Sequence, residues 1–560
     1  MNYKKGLPRV LWRYFISLER WWFWCLFVVL LLSYTINIQF AIALNDWNGR
    51  FYDALQSVNA EVIYKELMFF IGLASAIIVL LVSASYLKDR LILAVRRDIT
   101  TQFFHLRLSE KGAHFLLKES GEEPDNPDQR MTEDIKALVS LSMNLFLSFF
   151  DSLLTIGSFS IILWNLSGSA TVFDITIPGY MFWVCLVYTV ISTVITHFIG
   201  HRLKRFNFEV QHKEADLRAS LIEKRRHAGA IAGAHGEARE VEDLTSKFND
   251  LMVKLIQLVK KQRDLDFFTV GLGQVTHLAP IFFSLPTFLA GGIQLGGLMQ
   301  IRGAFADVAR SLSWIIFAYD DLAKLAATYE RLNRLELGLV KSDDIRSQLQ
   351  KNQTCLESKV TIKGLLNLPI LSPLRSQRRL CVDLEAYPGE LVVLNGASGV
   401  GKSTVLKVAS GFYSDFEGQV KTPKNTLWLP QSSYIFSGTL RSNLAYPQSA
   451  STLNDKEATD LLKTLSLEHL ISSLDEVCDW SSTLSGGEQQ RVCLGRIFIN
   501  QPSMVLMDES FSGLDDATAT RLLHELKQNL RKTILVLVTH QQALLALADR
   551  VYTLKTKEFS

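Results

Sequence analysis

Two glycine-rich stretches and one acidic pair mark where this sequence could do chemistry on a phosphate. Gly396, Ala397, Ser398, Gly399, Val400, Gly401, Lys402, Ser403 and Thr404 read GASGVGKST and fit G-x-x-x-x-G-K-[ST]. ELVVL before them reads as a strand, and VLKVAS after them as a helix ending at Gly411, which is the setting the motif requires. There the glycines let backbone N–H groups wrap phosphates and the helix N-terminus adds positive potential. Lys402 would reach the β and γ phosphates and Ser403 would ligate Mg²⁺. MVLMDE, Met504 to Glu509, has buried-strand character and closes on two carboxylates. Asp508 is placed to hold Mg²⁺, directly or through water, and Glu509 to polarise an attacking water. Without the loop upstream, the same residues would read as a strand ending in surface acids.

LSGGEQQR, Leu484 to Arg491, puts Ser485, Gly486, Gly487 and Glu488 at the opening of a helix, a second ready anion site in one chain. With the motifs in this order, the C-terminal part resembles the ABC ATPases. The resemblance implies that ATP is the ligand and that LSGGEQQR is the signature, which binds the γ-phosphate of ATP held by the glycine loop of a partner domain. It also implies that Gln431 lies in the Q-loop, touching ATP and Mg²⁺, and that SGLD at Ser512 to Asp515 is the D-loop. His540, directly after TILVLVT, becomes the switch histidine that acts with Glu509. The sequence departs from the family in two places. LLNLPILSPLRSQRRL has no aromatic residue to stack on adenine, and Ser510 and Phe511 replace the common Ala and Thr after the catalytic Glu.

These motifs occupy the last third of a chain of 560 residues, too long for one ordinary domain. With 48% hydrophobic and 21% charged residues and a mean hydropathy of +0.15, the chain is neither disordered nor collagen-like, and part of it belongs in lipid. Lys+Arg 59 against Asp+Glu 56 makes no case for a nucleic-acid partner. The basic cluster Lys224, Arg225, Arg226 reads as a solvated helix face rather than a nucleic-acid patch. Cys25, Cys185, Cys355, Cys381, Cys478 and Cys493 have neither CxxC nor ligand spacing and read as reduced packing residues.

A membrane helix needs about 20 mostly apolar residues. Such windows run from about Trp21 to Leu44, Leu67 to Tyr86, Leu141 to Trp164 and Pro178 to Gly200. A fifth, Phe267 to Gly291, carries Pro280 and Pro286 and should be bent. A sixth, Leu298 to Tyr319, holds Arg302, Asp307 and Arg310, fails hydropathy alone, and is inferred partly from parity. Lys and Arg stay on the cytoplasmic side. Lys4, Lys5, Arg9, Arg13 and Arg20 precede the first span, Lys88, Arg90, Arg96 and Arg97 follow the second, and Arg202, Lys204 and Arg205 follow the fourth. The opposite connections offer only Arg50 and Lys65, so both termini are expected in the cytoplasm. A cleaved signal peptide is the rival reading of the N-terminus; the length of the apolar run and the lack of a small-residue cleavage site favour a retained span. The cytoplasmic connections, Lys88 to Ser140 and His201 to Asp266, are long and read as helical extensions. The expected organisation is an all-α membrane domain over 1–335, a linker over 336–359 and an α/β P-loop ATPase domain over 360–560.

Six spans and one ATPase domain resemble an ABC half-transporter of exporter-type fold, which implies a homodimer with two composite ATP sites, a different partner chain being the lesser alternative. The membrane half resembles the bacterial SbmA/BacA-related (YddA-like) group and, more distantly, the peroxisomal fatty-acyl-CoA half-transporters. The matching stretches are LNDWNGRFYDAL at 44–55, NPDQRMTEDI at 126–135, GGLMQIRGAFADV, and LSWIIFAYDDLAKLAA around the sixth span. Asn126 to Arg130 would lie near a coupling helix that contacts an ATPase domain, or be a capped helix start. Asp151, Arg302, Asp307 and Arg310 are intramembrane charges and candidate pathway residues, with a structural Asp307–Arg310 pair at i, i+3 as the alternative. The expectation is ATP-driven transport of an amphipathic or bulky solute in a bacterial inner membrane, with import of peptides or a cobalamin-like compound leading. Lipid or acyl-CoA movement, and an ATP-gated channel or regulatory membrane ATPase, are the alternatives.

Overall fold

In lipid every backbone polar group must be bonded within its own segment, so long apolar runs coil into helices. The computed structural model describes all residues except 1–20, 109–111, 120–122, 125, 173–174, 353–358, 369–378, 414, 555 and 558–560. It divides into two compact units, Met1–Phe103 with Asn126–Arg334, and Phe104–Asp125 with Leu335–Ser560.

Helices α1 (Trp21–Gln56) and α2 (Ala60–Arg107) come first, and α3 (Ala113–Glu119) belongs to the second unit. After α3 come α4 (Pro127–Ser167), with a π-helical turn at Arg130–Asp134, and the hairpin β1 (Ser169–Val172) and β2 (Ile175–Pro178). Next are α5 (Tyr180–Arg226), α6 (Ala228–Gly233), α7 (Glu237–Leu289), α8 (Leu295–Leu312) and α9 (Trp314–Asn352). The 48 residues of α2 make a rod of about 70 Å, more than twice the hydrocarbon thickness. Helices α1, α2, α4 and α7 are long and apolar enough to cross a membrane, whereas the apolar part of α5, Tyr180–Thr196, is shorter.

The segment Leu298 to Tyr319 is not one continuous helix. Helix α8 stops at Leu312, and Ser313 adopts φ −82° and ψ 3°, its N–H bonded back to Ala309 O. Ser311 and Ser313 there are weaker helix formers than Ala or Leu, so the helix has less to carry it through this point. Pro280 and Pro286 sit inside α7, where α5 supplies polar support: Tyr180 donates to Phe283 O at 3.2 Å and Tyr188 to Leu272 O at 2.9 Å.

The LNDWNGRFYDAL stretch and the GGLMQIRGAFADV stretch meet. Asp53 Oδ1 accepts the Gly296 N–H at 2.7 Å, Gln56 Oε1 accepts the Leu295 N–H at 3.0 Å, and Asn45 Nδ2 donates to Gln300 O at 3.2 Å. The first two bonds satisfy N–H groups that the first turn of α8 would leave open. A Cβ at Gly296 would lie 2.1 Å from Gly49 O, so close approach of α1 and α8 requires this glycine. Trp47 donates to Glu66 O, and Arg50 pairs with Glu66 at 2.9 Å, which ties α1 to α2. Substitution Asp53→Ala should lower stability by about 1 kcal/mol, the ordinary cost of losing an N-terminal cap. Thermal denaturation of the detergent-solubilised protein checks this.

The second unit carries two sheets. A parallel one is ordered β10 (Arg550–Thr553), β5 (Leu391–Asn395), β9 (Ile534–Val538), β8 (Met504–Asp508) and β7 (Thr426–Leu429). An antiparallel one is ordered β11 (Thr556–Lys557), β4 (Arg379–Ala386), β3 (Val360–Asn367) and β6 (Phe416–Lys421). The central strands β5, β8 and β9 are apolar and buried on both faces except at the carboxyl ends of β5 and β8, Asn395 and Asp508, as parallel strands between helices must be. Around them lie α10 (Lys402–Ala409), α11 (Leu440–Ala445), α12 (Asp455–Thr464), α13 (Trp480–Thr483), α14 (Gly486–Asn500), α15 (Asp516–Asn529) and α16 (Gln542–Leu545).

Helix α3 joins this unit through Phe115, which meets Phe412 at 5.3 Å and Trp428 at 5.4 Å between centroids, and through Glu119, paired with Lys407 at 2.6 Å. The piece of the first cytoplasmic connection that packs with the ATPase strands is therefore α3, whereas Asn126 to Arg130 group with the first unit. The reason is composition: Phe115, Leu116 and Leu117 are a run of apolar residues, the two leucines buried, while NPDQR has no large apolar side chain. Asn126 has φ 50° and makes no side-chain cap, so a conventionally capped start is not what this stretch provides.

Glu336 on α9 is 6% exposed between the buried Leu335 and Leu339, and its Oε2 has no hydrogen-bond partner among the described residues. Burial pushes its carboxyl from the ordinary 4.5 up to about 7. The stability that comes from burying the neutral form is full below pH 4.5 and is lost as pH rises through about 7. Substitution Glu336→Gln should therefore raise the melting temperature by a few degrees at pH 8 and leave it unchanged at pH 4.5, as scanning fluorimetry would show.

Candidate functional site

The glycine loop sits where β5 ends and α10 begins, at the carboxyl edge of the parallel sheet, where such sheets bind ligands. Gly396, Gly399 and Gly401 have φ of 150°, 75° and 107°, values that an L side chain rarely adopts. At Gly401 a Cβ would also lie 2.5 Å from Leu368 Cδ2. Lys402 is buried, and its Nζ donates to Gly396 O at 2.8 Å and Ala397 O at 3.3 Å. The same Nζ lies 3.1 Å from His540 Nε2, which thus acts as acceptor.

Strand β8 brings Asp508 beside this loop. Burial raises its pKa; a hydrogen bond from Ser403 opposes the rise, Glu509 reinforces it, and Lys407 and Lys402 oppose it. Glu509 has φ 50°, strained for a non-glycine residue, and its side chain accepts from Gln431 Nε2 at 3.0 Å. His540 Nε2 is 3.7 Å from Glu509 Oε1. Gln431, Glu509, His540 and Lys402, far apart in sequence, thus form one connected cluster. Its oxygen donors, the Ser403 hydroxyl, the Asp508 carboxylate and the Gln431 amide oxygen left free by the Nε2 bond, fit Mg²⁺, which prefers hard oxygen ligands.

The second anion site is built as a capping box. Ser485 is the N-cap of α14; Glu488 N–H donates to Ser485 Oγ, while Glu488 Oε2 accepts from Ser485 N–H at 2.9 Å and from its hydroxyl at 2.8 Å. Burial pushes the Glu488 pKa up, but the Ser485 bonds and His469 outweigh it and hold the carboxyl below its ordinary value. Among the described residues no hydrogen bond joins Ser485, Gly486 or Gly487 to the 396–404 loop. The structure brings together one constellation at the loop and a separate one at the start of α14.

Three contributors were not anticipated from sequence. Gln490 of α14 donates to Ser512 Oγ and accepts from Gly513 N–H at 2.8 Å, fixing SGLD against the signature helix. His469 lies 2.9 Å from Glu488. Arg496 is buried and donates to Tyr434 O and Asn443 O, steadying the stretch after Gln431. The spacing of Gln490 from Ser485 on one helix was a usable signal; the other two depend on tertiary contacts. Most of the stretch bearing the adenine question, 369–378, lies outside the described residues. Ser510 donates to Leu429 O, and Phe511 is buried in the core, so both departures after Glu509 are packing residues.

In the first unit, Asp307 and Arg310 of α8 form the i, i+3 pair at 3.6 Å. Asp151 of α4 lies close enough to Asp307 for their charges to interact, and Arg302 is half-buried on α8.

Comparison with known proteins agrees with this geometry. The model of the ABC transporter transmembrane region 2 matches residues 11–289, and that of the ABC transporter matches 381–512. The inner membrane ABC transporter ATP-binding protein YddA of Escherichia coli (strain K12) is 29% identical, over 94% of this chain and 93% of its own. An uncharacterised ABC transporter ATP-binding protein of Synechocystis is 30% identical, over 91% and 77%. A bacterial Atm1-family ABC exporter with ATP bound superposes with a TM-score of 0.72 at 14% identity, covering 95% of this chain and 94% of that one, which establishes a shared fold.

Proposed function

Because this chain belongs to the ABC transporter family, coupling ATP hydrolysis to solute movement across a membrane, we propose that it works as a homodimer importing peptides or a cobalamin-like compound. One observation carries the dimer: a single chain presents two separate anion sites, the 396–404 loop and the start of α14, which share no hydrogen bond among the described residues. A second copy supplies the complement of each, with the Ser485 helix of one protomer facing the glycine loop of the other.

In this reading the backbone amides of 396–404 and Lys402 hold the phosphates of ATP. Ser403, Asp508 and Gln431 would hold Mg²⁺, which neutralises charge on the phosphate oxygens. Glu509 polarises the attacking water and His540 keeps that carboxylate and the γ-phosphate in register. Ser485, Gly486 and Gly487 donate to the γ-phosphate from across the interface, and Glu488 gives up its bonds to Ser485 as they do. Closure of two ATPase units is carried into the rest of the chain through residues 104–125, where α3 is anchored by Phe115 and Glu119. The abundance of Lys and Arg around 88–97 and 202–205 supports cytoplasmic termini, and the similarity to the inner membrane protein YddA supports a bacterial inner membrane.

Uptake of labelled peptides and cobalamin into ATP-loaded, right-side-out proteoliposomes tests the reading. Accumulation that requires active ATPase is the expected result. No accumulation, with ATPase stimulated instead by acyl-CoA or lipid, would overturn the import assignment.

A further inference from the structure

A cavity of about 310 Å³ lies in the first unit between α5, α7 and the end of α8. That volume is at the low end for small-molecule sites, so it can take one end of a bulky solute and not the whole. Its walls are unusual for a membrane bundle. Thr189, Ser192, Thr193 and Thr196 fall at i, i+3, i+4 and i+7 and place a row of hydroxyls on one face of α5. Opposite them, Thr269 and Thr276 of α7 present a second row, with Gly273 between them.

The hydroxyls divide by what they already do. Those of Thr189, Thr196 and Thr276 donate to carbonyls of their own helix at 2.7, 2.7 and 2.9 Å. Those of Ser192, Thr193 and Ser313 make no hydrogen bond among the described residues and are free to donate. His277 and Arg310 also line the cavity, and Leu272, Ala309 and Phe317 are among its apolar walls. Arg310 is held by Asp307 only at 3.6 Å and keeps 72% of its side chain exposed, so most of its five N–H donors remain unengaged. It stands one turn before the break at Ser313, and an interrupted helix with a charge beside it is how membrane transporters build a polar site at depth.

We propose that this cavity binds the anionic end, a carboxylate or a phosphate, of the transported solute, with Arg310 as its ion-pair partner and Ser192, Thr193 and Ser313 as hydroxyl donors. The proposal rests on the transport reading above and narrows its substrate class to organic anions. Asp307 holds the guanidinium from the α8 side and orients it.

The test is isothermal titration of the full-length protein in nanodiscs with three probes: a short apolar peptide with a free C-terminal carboxylate, the same peptide as its C-terminal amide, and palmitoyl-CoA. The peptide acid should bind at least tenfold more tightly than the amide, and Arg310→Gln should remove that difference. Arg310→Lys should restore part of it, and Ser192→Ala with Thr193→Val should weaken acid binding several-fold while leaving the elution profile unchanged. If palmitoyl-CoA alone responds to Arg310→Gln, the site stands and its anion is a phosphate. Equal binding of acid and amide with palmitoyl-CoA indifferent to Arg310→Gln, or no probe bound by the wild type, would overturn it. Probe binding without ATP-driven uptake in proteoliposomes would instead sink the transport reading and leave the site intact.

Discussion

Substitution Glu509→Gln should slow ATP hydrolysis by about 10²–10⁴-fold while ATP still binds, because it removes a general base and changes little else. The structure explains why so little else changes. Glu509 holds φ 50° through its neighbours, since its N–H donates to Val538 O at 3.0 Å and its carbonyl accepts from Ser512 N–H at 3.0 Å. None of these bonds involves the carboxylate. The Gln431 amide at 3.0 Å can donate to a Gln oxygen as it does to Glu509. Filter binding of labelled ATP beside phosphate release from the same preparation separates the two effects. Hydrolysis near the wild-type rate would remove Glu509 from the mechanism.

The second large effect is expected at Gly486. A Cβ there would meet nothing within 4 Å, and an acid in the first turn of α14 is favourable to the helix. Gly486→Asp should therefore fold with unchanged or slightly raised stability. Yet its carboxylate would stand where the γ-phosphate of the second protomer's ATP is proposed to sit, and two like charges at such range repel strongly outside bulk water. Hydrolysis should fall by about 10²–10³-fold, the cost of losing an oxyanion-type site, with ATP binding at the chain's own glycine loop retained. Mixed dimers carrying Gly486→Asp on one copy and Lys402→Ala on the other discriminate further, because one composite site then keeps neither defect. Half of the wild-type turnover would support sites built across two chains, whereas no turnover would argue against it.

How much of this was legible in the sequence follows from distance along the chain. The glycine loop, the acidic strand and the capped helix at Ser485 are local: spacing alone determines strand, turn and helix, and β5, α10, β8 and α14 fall where GASGVGKST, MVLMDE and LSGGEQQR place them. The apolar windows were equally readable as helices, but not their ends. Helix α1 runs on to Gln56 through polar residues because its far end is bonded to α8. The stop at Ser313 was missed because no proline or glycine announces it. Arg496 and His469 were invisible because what defines them is a carbonyl or a carboxylate brought in by another element. The α3 anchor is not legible in the sequence, since Phe115 and Glu119 are defined by Phe412, Trp428 and Lys407, which other elements bring to them.

The joint between α1 and α8 also bears on biogenesis. Asp53 and its partner Gly296 are 243 residues apart. At synthesis rates of about 5–20 residues per second, the ribosome takes about 10–50 s to deliver the second after the first. For that interval Asp53, Gln56 and Asn45 emerge without their receptor, while α1 meets α2 through Trp47 and Arg50 and α4 through Phe27. Nascent chains arrested before Leu295 should therefore expose the end of the first helix to proteases, and those arrested beyond Leu312 should protect it.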